Sequence, residues 1–169
     1  MDSVVQIWKN KGAKEPPGRS FKEGDLHCLF LHIVSSCAGD TTLRVWNVTK
    51  FQTDHVLWDH SHGGMLVILS CNNNYVLSDS ADMAVRTWDT TMSLQMRKLK
   101  GHSCMVWSVA FSSDLQHIAS VSYPELCVWN IEGVVEHKLK GIRAWVAFIA
   151  FSYDGCYVVL LPCVVGCGR

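Results

Sequence analysis

A chain of 169 residues is long enough for one packed domain and short for two. Its 15 basic and 15 acidic side chains cancel, so it lacks the strong positive field that phosphate-backbone binding draws on, and nucleic acid is a disfavoured partner. A hydrophobic share of 49% with seven Trp excludes a disordered chain.

In chain order, MDSVVQIWKN has no basic segment followed by an apolar run and does not read as a secretory signal. Its VVQIW alternates and ends on Trp8, as a strand would. The stretch KNKGAKEPPGR that follows is basic and carries two prolines, which suits a solvated loop. A second alternating run, TLRVW, ends on Trp46, a third, AVRTW, on Trp88, and a fourth, ELCVW, on Trp129. The intervals are 38, 42 and 41 residues, and a period of this size signals a repeat architecture. An Asp stands six residues before the Trp in three copies, as Asp2, Asp40 and Asp82; the fourth has Tyr123 in a turn one residue shorter.

The register extends upstream. DHSHGGMLVILSCNNNYVLSDSADMAVRTW aligns with GHSCMVWSVAFSSDLQHIASVSYPELCVW, pairing His60 with His102, Ser70 with Ser112, Asn72 with Asp114 and Ser78 with Ser120. A further partial copy begins at Gly141, with Phe151-Ser152 and Asp154 in register and Ile142 in place of the His. MVWSVAF and WVAFIAF read as strands, while SSDL, NNN and YDG carry turn chemistry, so each copy offers about four short antiparallel strands. The class is all-β. CYVVLLPCVV is apolar over ten residues but contains a proline and is too short to cross a bilayer as a helix, so no membrane partner is expected. Eight Cys without CxxC spacing read as buried thiols in a reducing compartment, the cytoplasm or the nucleus.

A period near 41, a Gly-His near the start, a turn Asp six before a Trp, and VWN or TWD at the end resemble the WD-repeat family of β-propellers. The resemblance implies four-stranded antiparallel blades in a partial or truncated propeller. It divides the chain into a late strand of a first blade (1–8), a degenerate repeat segment or loop (9–33), the end of a second repeat (34–58), two WD repeats (59–100 and 101–140) and the start of a truncated further repeat (141–169). It further implies a buried structural set of His, Ser or Thr, turn Asp and Trp. Carried over residue by residue, this is His60, Ser80, Asp82 and Trp88 in one copy. The next keeps His102, Ser122 and Trp129 with Glu125 near the missing Asp, and an earlier one keeps Asp40 and Trp46 with Ala38 at the Ser place. A buried indole N–H, a buried imidazole and a turn carboxylate satisfy one another's hydrogen-bonding needs independently of any family.

Recurring Ser, His and Asp also invite a hydrolase triad, but no GxSxG elbow is present and the same His-to-Trp pattern occurs twice. Asp59, His60 and His62 of DHSH offer no third or fourth metal ligand at a familiar spacing. No catalytic residue, metal or cofactor is therefore expected. The resemblance points to a protein-interaction scaffold, a piece of a larger signalling protein, with a propeller-based hydrolase or metal enzyme and a nucleic-acid platform as the alternatives. The partner-binding rim would carry Met65, Met105, Trp107, Tyr123, Arg143 and Trp145, residue types enriched in interface cores. SVVQIW, on residues 3–8, could pair beside residues 157–161 to complete a ring; otherwise open sheet edges would favour self-association.

Overall fold

The computed structural model describes residues 4–6, 20–22, 25–30, 33–37, 41–47, 52–58, 60–143 and 146–162, with side chains for 41–45, 55–57, 60–64, 66–143 and 146–161. Among these the secondary structure is β throughout, with no helix. Three complete sheets have four antiparallel strands each, in chain order from one edge to the other. A two-stranded sheet pairs β1 (Val4–Gln6) with β2 (Ser20–Lys22). The first complete sheet comprises β3 (Asp25–Phe30), β4 (Ile33–Cys37), β5 (Thr42–Asn47) and β6 (Gln52–Trp58). The second comprises β7 (Gly64–Leu69), β8 (Tyr75–Ser80), β9 (Ala84–Asp89) and β10 (Leu94–Lys100). The third comprises β11 (Val106–Phe111), β12 (His117–Ser122), β13 (Glu125–Asn130) and β14 (Val135–Lys140). A last pair joins β15 (Val146–Phe151) to β16 (Val158–Pro162).

One expectation changes, and one of two alternatives for the first strand is decided. Asp25–Phe30, placed by its sequence in a degenerate segment, is the first strand of a complete sheet and pairs with Ile33–Cys37. The Gly-His pair marks the loop ahead of such a strand, so its absence does not prevent the ladder from forming. Val4–Gln6 pairs with Ser20–Lys22 and belongs to a different sheet from Val158–Pro162.

The sheets stack face to face, and the period of two along each strand decides which neighbour a side chain meets. Val76 packs toward the preceding sheet with Leu43, Val45, Leu57, Val67 and Trp88. Its neighbour Leu77 packs the opposite way, with Val85 and Leu99 against Val109, Ile118 and Trp129 of the next sheet. Ala110, Ala119, Val121 and Leu126 in turn cover Val146 and Ile149. The outermost strands β10 and β14 are exposed along nearly their whole length. The second and third complete sheets thus bury both faces of their middle strands.

The hairpin turns repeat the same chemistry. Ser70, Ser112 and Ser152 donate to Asn72, Asp114 and Asp154 at 2.7, 2.6 and 2.5 Å. Each of these hydroxyls accepts the backbone N–H five residues on, at 2.9 Å. The turn places Asn73, Leu115 and Gly155 at φ of 62°, 59° and 71°. Asn and Gly tolerate that conformation well, whereas Leu115 carries some strain.

Candidate functional site

Each of the second and third complete sheets holds a polar set at one end. In the second, Ser78 sits at the centre. Its Oγ accepts the indole N–H of Trp88 at 2.9 Å and lies 2.8 Å from Nε2 of His60. The other imidazole nitrogen, Nδ1, faces Nη1 of Arg86 at 2.6 Å. A guanidinium has donors only, so Nδ1 accepts and Nε2 carries the proton toward Ser78. Arg86 also donates to Oδ2 of Asp82 at 2.8 Å, and its own exposure is 0%. Asp82 closes the β8–β9 turn by accepting the Ala84 N–H at 3.1 Å and reaches the His loop through the Ser61 N–H at 3.2 Å. Burial pushes the Asp82 carboxyl up, but the Ser61 amide, His60 and Arg86 outweigh it and bring it down to about 2.

The third sheet solves the same problem with other residues. Ser120 accepts the Trp129 indole N–H at 2.7 Å and meets Nε2 of His102 at 2.6 Å, while Ser122 meets Nδ1 at 2.9 Å. Cys127 stands two residues before the Trp, where the other copy has Arg86. Its short side chain is paired across the ladder with Lys138, whose ammonium reaches Glu125 Oε2 at 3.0 Å. Ser103 also donates to Glu125 at 3.4 Å, as Ser61 does to Asp82 at 3.5 Å. Glu125 thus takes over the acid's contact with the His loop, and Lys138 of the outer strand replaces the cation of the third strand. Burial pushes the Glu125 carboxyl up, but Lys138, Lys140 and His102 hold it below its ordinary range. Burial, the largest influence, brings the His102 imidazole down to about 4, with Glu125 opposing and Lys138 assisting. Burial likewise pushes the Cys127 thiol up, which leaves it a poor nucleophile.

Gly101 explains half of the Gly-His signature. A Cβ there would meet Cη2 of Trp129 at 3.0 Å, so a side chain would force the indole to shift by a few tenths of an ångström. The imidazoles meet the indoles edge to face, with centroids 6.3 Å apart for His60–Trp88 and 5.9 Å for His102–Trp129.

The expected sets therefore need one correction. Ser80 does not bridge His60 to Trp88; its hydroxyl donates to the carbonyls of His62 and Gly63 at 2.8 and 3.0 Å and accepts the Asp82 N–H. The bridge is Ser78, one pleat further along the same face, and Ser120 in the next sheet; Ser122 touches His102 but on its other nitrogen. Sequence reading also passed over Arg86, although Arg44 occupies the same place two residues before Trp46. Asp40 and the side chain of Trp46 lie outside the described residues.

The Ser78–His60–Asp82 arrangement has a triad's composition without a triad's access. Ser78 is fully buried, and its oxygen is already engaged by Trp88. The two histidines of DHSH separate, His60 inward and His62 to solvent. Among the described residues no cluster of three or more His, Cys, Asp or Glu could hold a metal ion. No helix among them is long and apolar enough to cross a membrane. The thiols also need correcting: of the cysteines whose side chains are described, Cys127 is buried, whereas Cys71, Cys104 and Cys156 are exposed at turns and loops.

The same end of the sheets also carries exposed side chains. Met83 of the β8–β9 turn, Met105 of the His102 loop and Tyr123 of the β12–β13 turn are 46%, 40% and 54% exposed. Backbone bonds tie loops to turns there: Ala81 N–H to Gly63 O at 3.3 Å, and Ile142 N–H, next to exposed Arg143, to Pro124 O at 3.1 Å. Met83 was not legible as a rim residue. Trp107 is half-buried on strand β11, in the bulge between Val106 and Ser108, and not on the rim. The side chain of Met65 and all of Trp145 lie outside the described residues.

Stacked four-stranded antiparallel sheets, the second and third each pinned by a His–Ser–Trp bridge, have the architecture of successive propeller blades. Residues 93–130 match the family model described as "WD domain, G-beta repeat". Over 166 residues the chain is 26% identical to apoptotic protease-activating factor 1 of Rattus norvegicus. The alignment covers 90% of this chain, which spans 13% of that relative's length.

Proposed function

We propose that this chain is a non-catalytic scaffold that binds a protein partner through the rim formed by Met83, Met105, Tyr123 and Arg143. The observation that carries the reading is the contrast at one end of the sheets. His60, Asp82, Arg86, His102 and Glu125 there are buried or nearly so and engaged with their neighbours, while Met83, Met105 and Tyr123 project outward. Buried polar groups that satisfy one another have no capacity left for a substrate. Exposed Met, Tyr and Arg beside a rigid support are the makings of a binding hot spot. The likeness to a relative many times longer, named as a protease-activating factor, supports a place within a larger signalling protein, and the absence of a disulfide among the described residues suits the cytoplasm.

The test is capture of binding proteins by the chain carrying Met105→Asp with Tyr123→Ser. A control carries Tyr153→Ser, which is 94% exposed at the opposite end. The rim variant should lose the captured protein while the control keeps it. Equal loss in both, or none in either, would contradict the reading.

A further inference from the structure

The loop that carries His102 also holds a hydroxyl that the buried polar set does not use. Ser103 follows the imidazole directly and is exposed. Among the described residues its Oγ meets only Oε2 of Glu125, to which it donates at 3.4 Å. No backbone hydrogen bond among them fixes Ser103, Cys104 or Met105, whereas the loop ahead of β7 is tied to a turn through Gly63 O and Ala81 N–H. A segment held so lightly opens at low cost.

The approach to Ser103 is basic. Arg97, Lys98 and Lys100 stand six, five and three residues before it, and all three are exposed on the outermost strand β10. That strand pairs with β9 alone, so the stretch is already extended and has a free edge, the form in which a cleft reads a peptide. Arg97 is engaged with Glu132 at 2.9 Å in a surface ion pair, which holds it weakly. The repeat supplies a contrast. Ser61 has the same place in the second sheet and donates to Asp82 as Ser103 does to Glu125. The ten residues before it, FQTDHVLWDH, contain two Asp and no Lys or Arg. The loop forms there without a basic approach, so the fold does not demand the one ahead of Ser103.

Cations also stand where a new negative charge on Ser103 would fall. Nζ of Lys138 lies 3.0 Å from the Glu125 oxygen that Ser103 meets, and donates to Gly101 O at 2.8 Å. Lys140 adds to the positive field at Glu125. A phosphate on the hydroxyl brings a charge near −2 and three acceptor oxygens that extend beyond the position of Oγ.

We propose that Ser103 is a phosphorylation site, modified by a kinase that selects basic residues ahead of its serine, and that Lys138 and Lys140 receive the phosphate. In the transfer the Ser103 oxygen bonds the γ-phosphorus of ATP and the bond from that phosphorus to the β–γ bridging oxygen breaks. ADP leaves, and the hydroxyl proton passes to the kinase's base. The dianion repels Glu125 and draws Lys138 from it, so a phosphate tie replaces the carboxylate tie between loop and sheet. The site does not rest on the rim reading.

The experiment treats the full chain with MgATP and the catalytic domain of protein kinase C, a kinase of that selectivity, and maps the product by mass spectrometry. Phosphate at Ser103 is expected, absent from Ser103→Ala. It should form about tenfold more slowly in a chain carrying Arg97→Ala with Lys100→Ala, whose unchanged melting curve shows that it is folded. Phosphorus NMR then follows the second ionisation of the phosphoserine, which faces Glu125, His102, Lys138 and Lys140. Its midpoint should rise by about half a pH unit in Lys138→Met. Should that variant fail to fold, Lys140→Met gives the same test. No phosphate at Ser103, transfer indifferent to Arg97 and Lys100, or an ionisation indifferent to these lysines would overturn the proposal.

Discussion

The hydroxyl of Ser78 accepts the indole N–H of Trp88 at 2.9 Å, joining the second strand of a sheet to its third from within the core. Because the same oxygen also meets His60, it ties the incoming loop to both strands. Ser78→Ala would leave a buried indole N–H and a buried imidazole N–H unpaired. The expected cost is about 2–3 kcal/mol. Ser80→Ala, which removes contacts to loop carbonyls beside solvent, should cost about 1 kcal/mol. Urea midpoints of the two variants distinguish the true bridge from the residue two positions on.

Asp82 and Arg86 form a charge pair that neither can leave alone. Asp82→Asn removes the negative charge facing a guanidinium of 0% exposure, and destabilisation of about 3–5 kcal/mol is expected. Arg86→Met alone should be costly too, whereas adding it to Asp82→Asn should recover much of the loss. A double-mutant cycle on unfolding free energy reads the coupling directly.

His102 makes the stability of the third sheet sensitive to acid. Its imidazole titrates at about 4 when folded and near 6.5 in the open chain. Between those values the unfolded state binds more protons, so stability is complete above about pH 6.5 and is lost as pH falls toward 4. The loss should reach about 2–3 kcal/mol. Glu125 and Asp82, both lowered, extend the fall at lower pH, each losing its contribution as it becomes protonated. His102→Gln should be less stable than the parent at pH 7.5 yet show a flatter decline to pH 4.5 in urea titrations.

Tyr123 lies outside all of these networks. Tyr123→Ser should change the unfolding free energy by no more than about 0.5 kcal/mol. Partner capture should weaken by about tenfold or more if the ring is a hot spot. Thermal melting beside quantitative capture separates the two effects.

What was legible in the sequence follows from how repetition works. Trp88 and Trp129, His60 and His102, and the turns at Ser70, Ser112 and Ser152 recur at fixed spacing, and a recurring residue announces a recurring structural need. Ser78 and Ser120 were also in register, but two serines on the same face of β8 compete for the role, and only the depth of the pleat decides between them. Arg86 was hidden because Cys127 stands at its place in the next copy, and its charge partner there comes from Lys138, an outer-strand residue that no motif marks. Asp25–Phe30 was hidden because its loop lacks the Gly-His, although pairing with Ile33–Cys37 suffices to make the strand.

The most direct measurement of the central claim, that the polar sets hold the sheets together, is hydrogen exchange at the tryptophan indoles. In the parent chain the Nε1 protons of Trp88 and Trp129 should be strongly protected, and Ser78→Ala should release that of Trp88 while leaving that of Trp129 slow. Indole protons that exchange at free-tryptophan rates in the folded parent, or a Trp88 proton indifferent to Ser78→Ala, would contradict it.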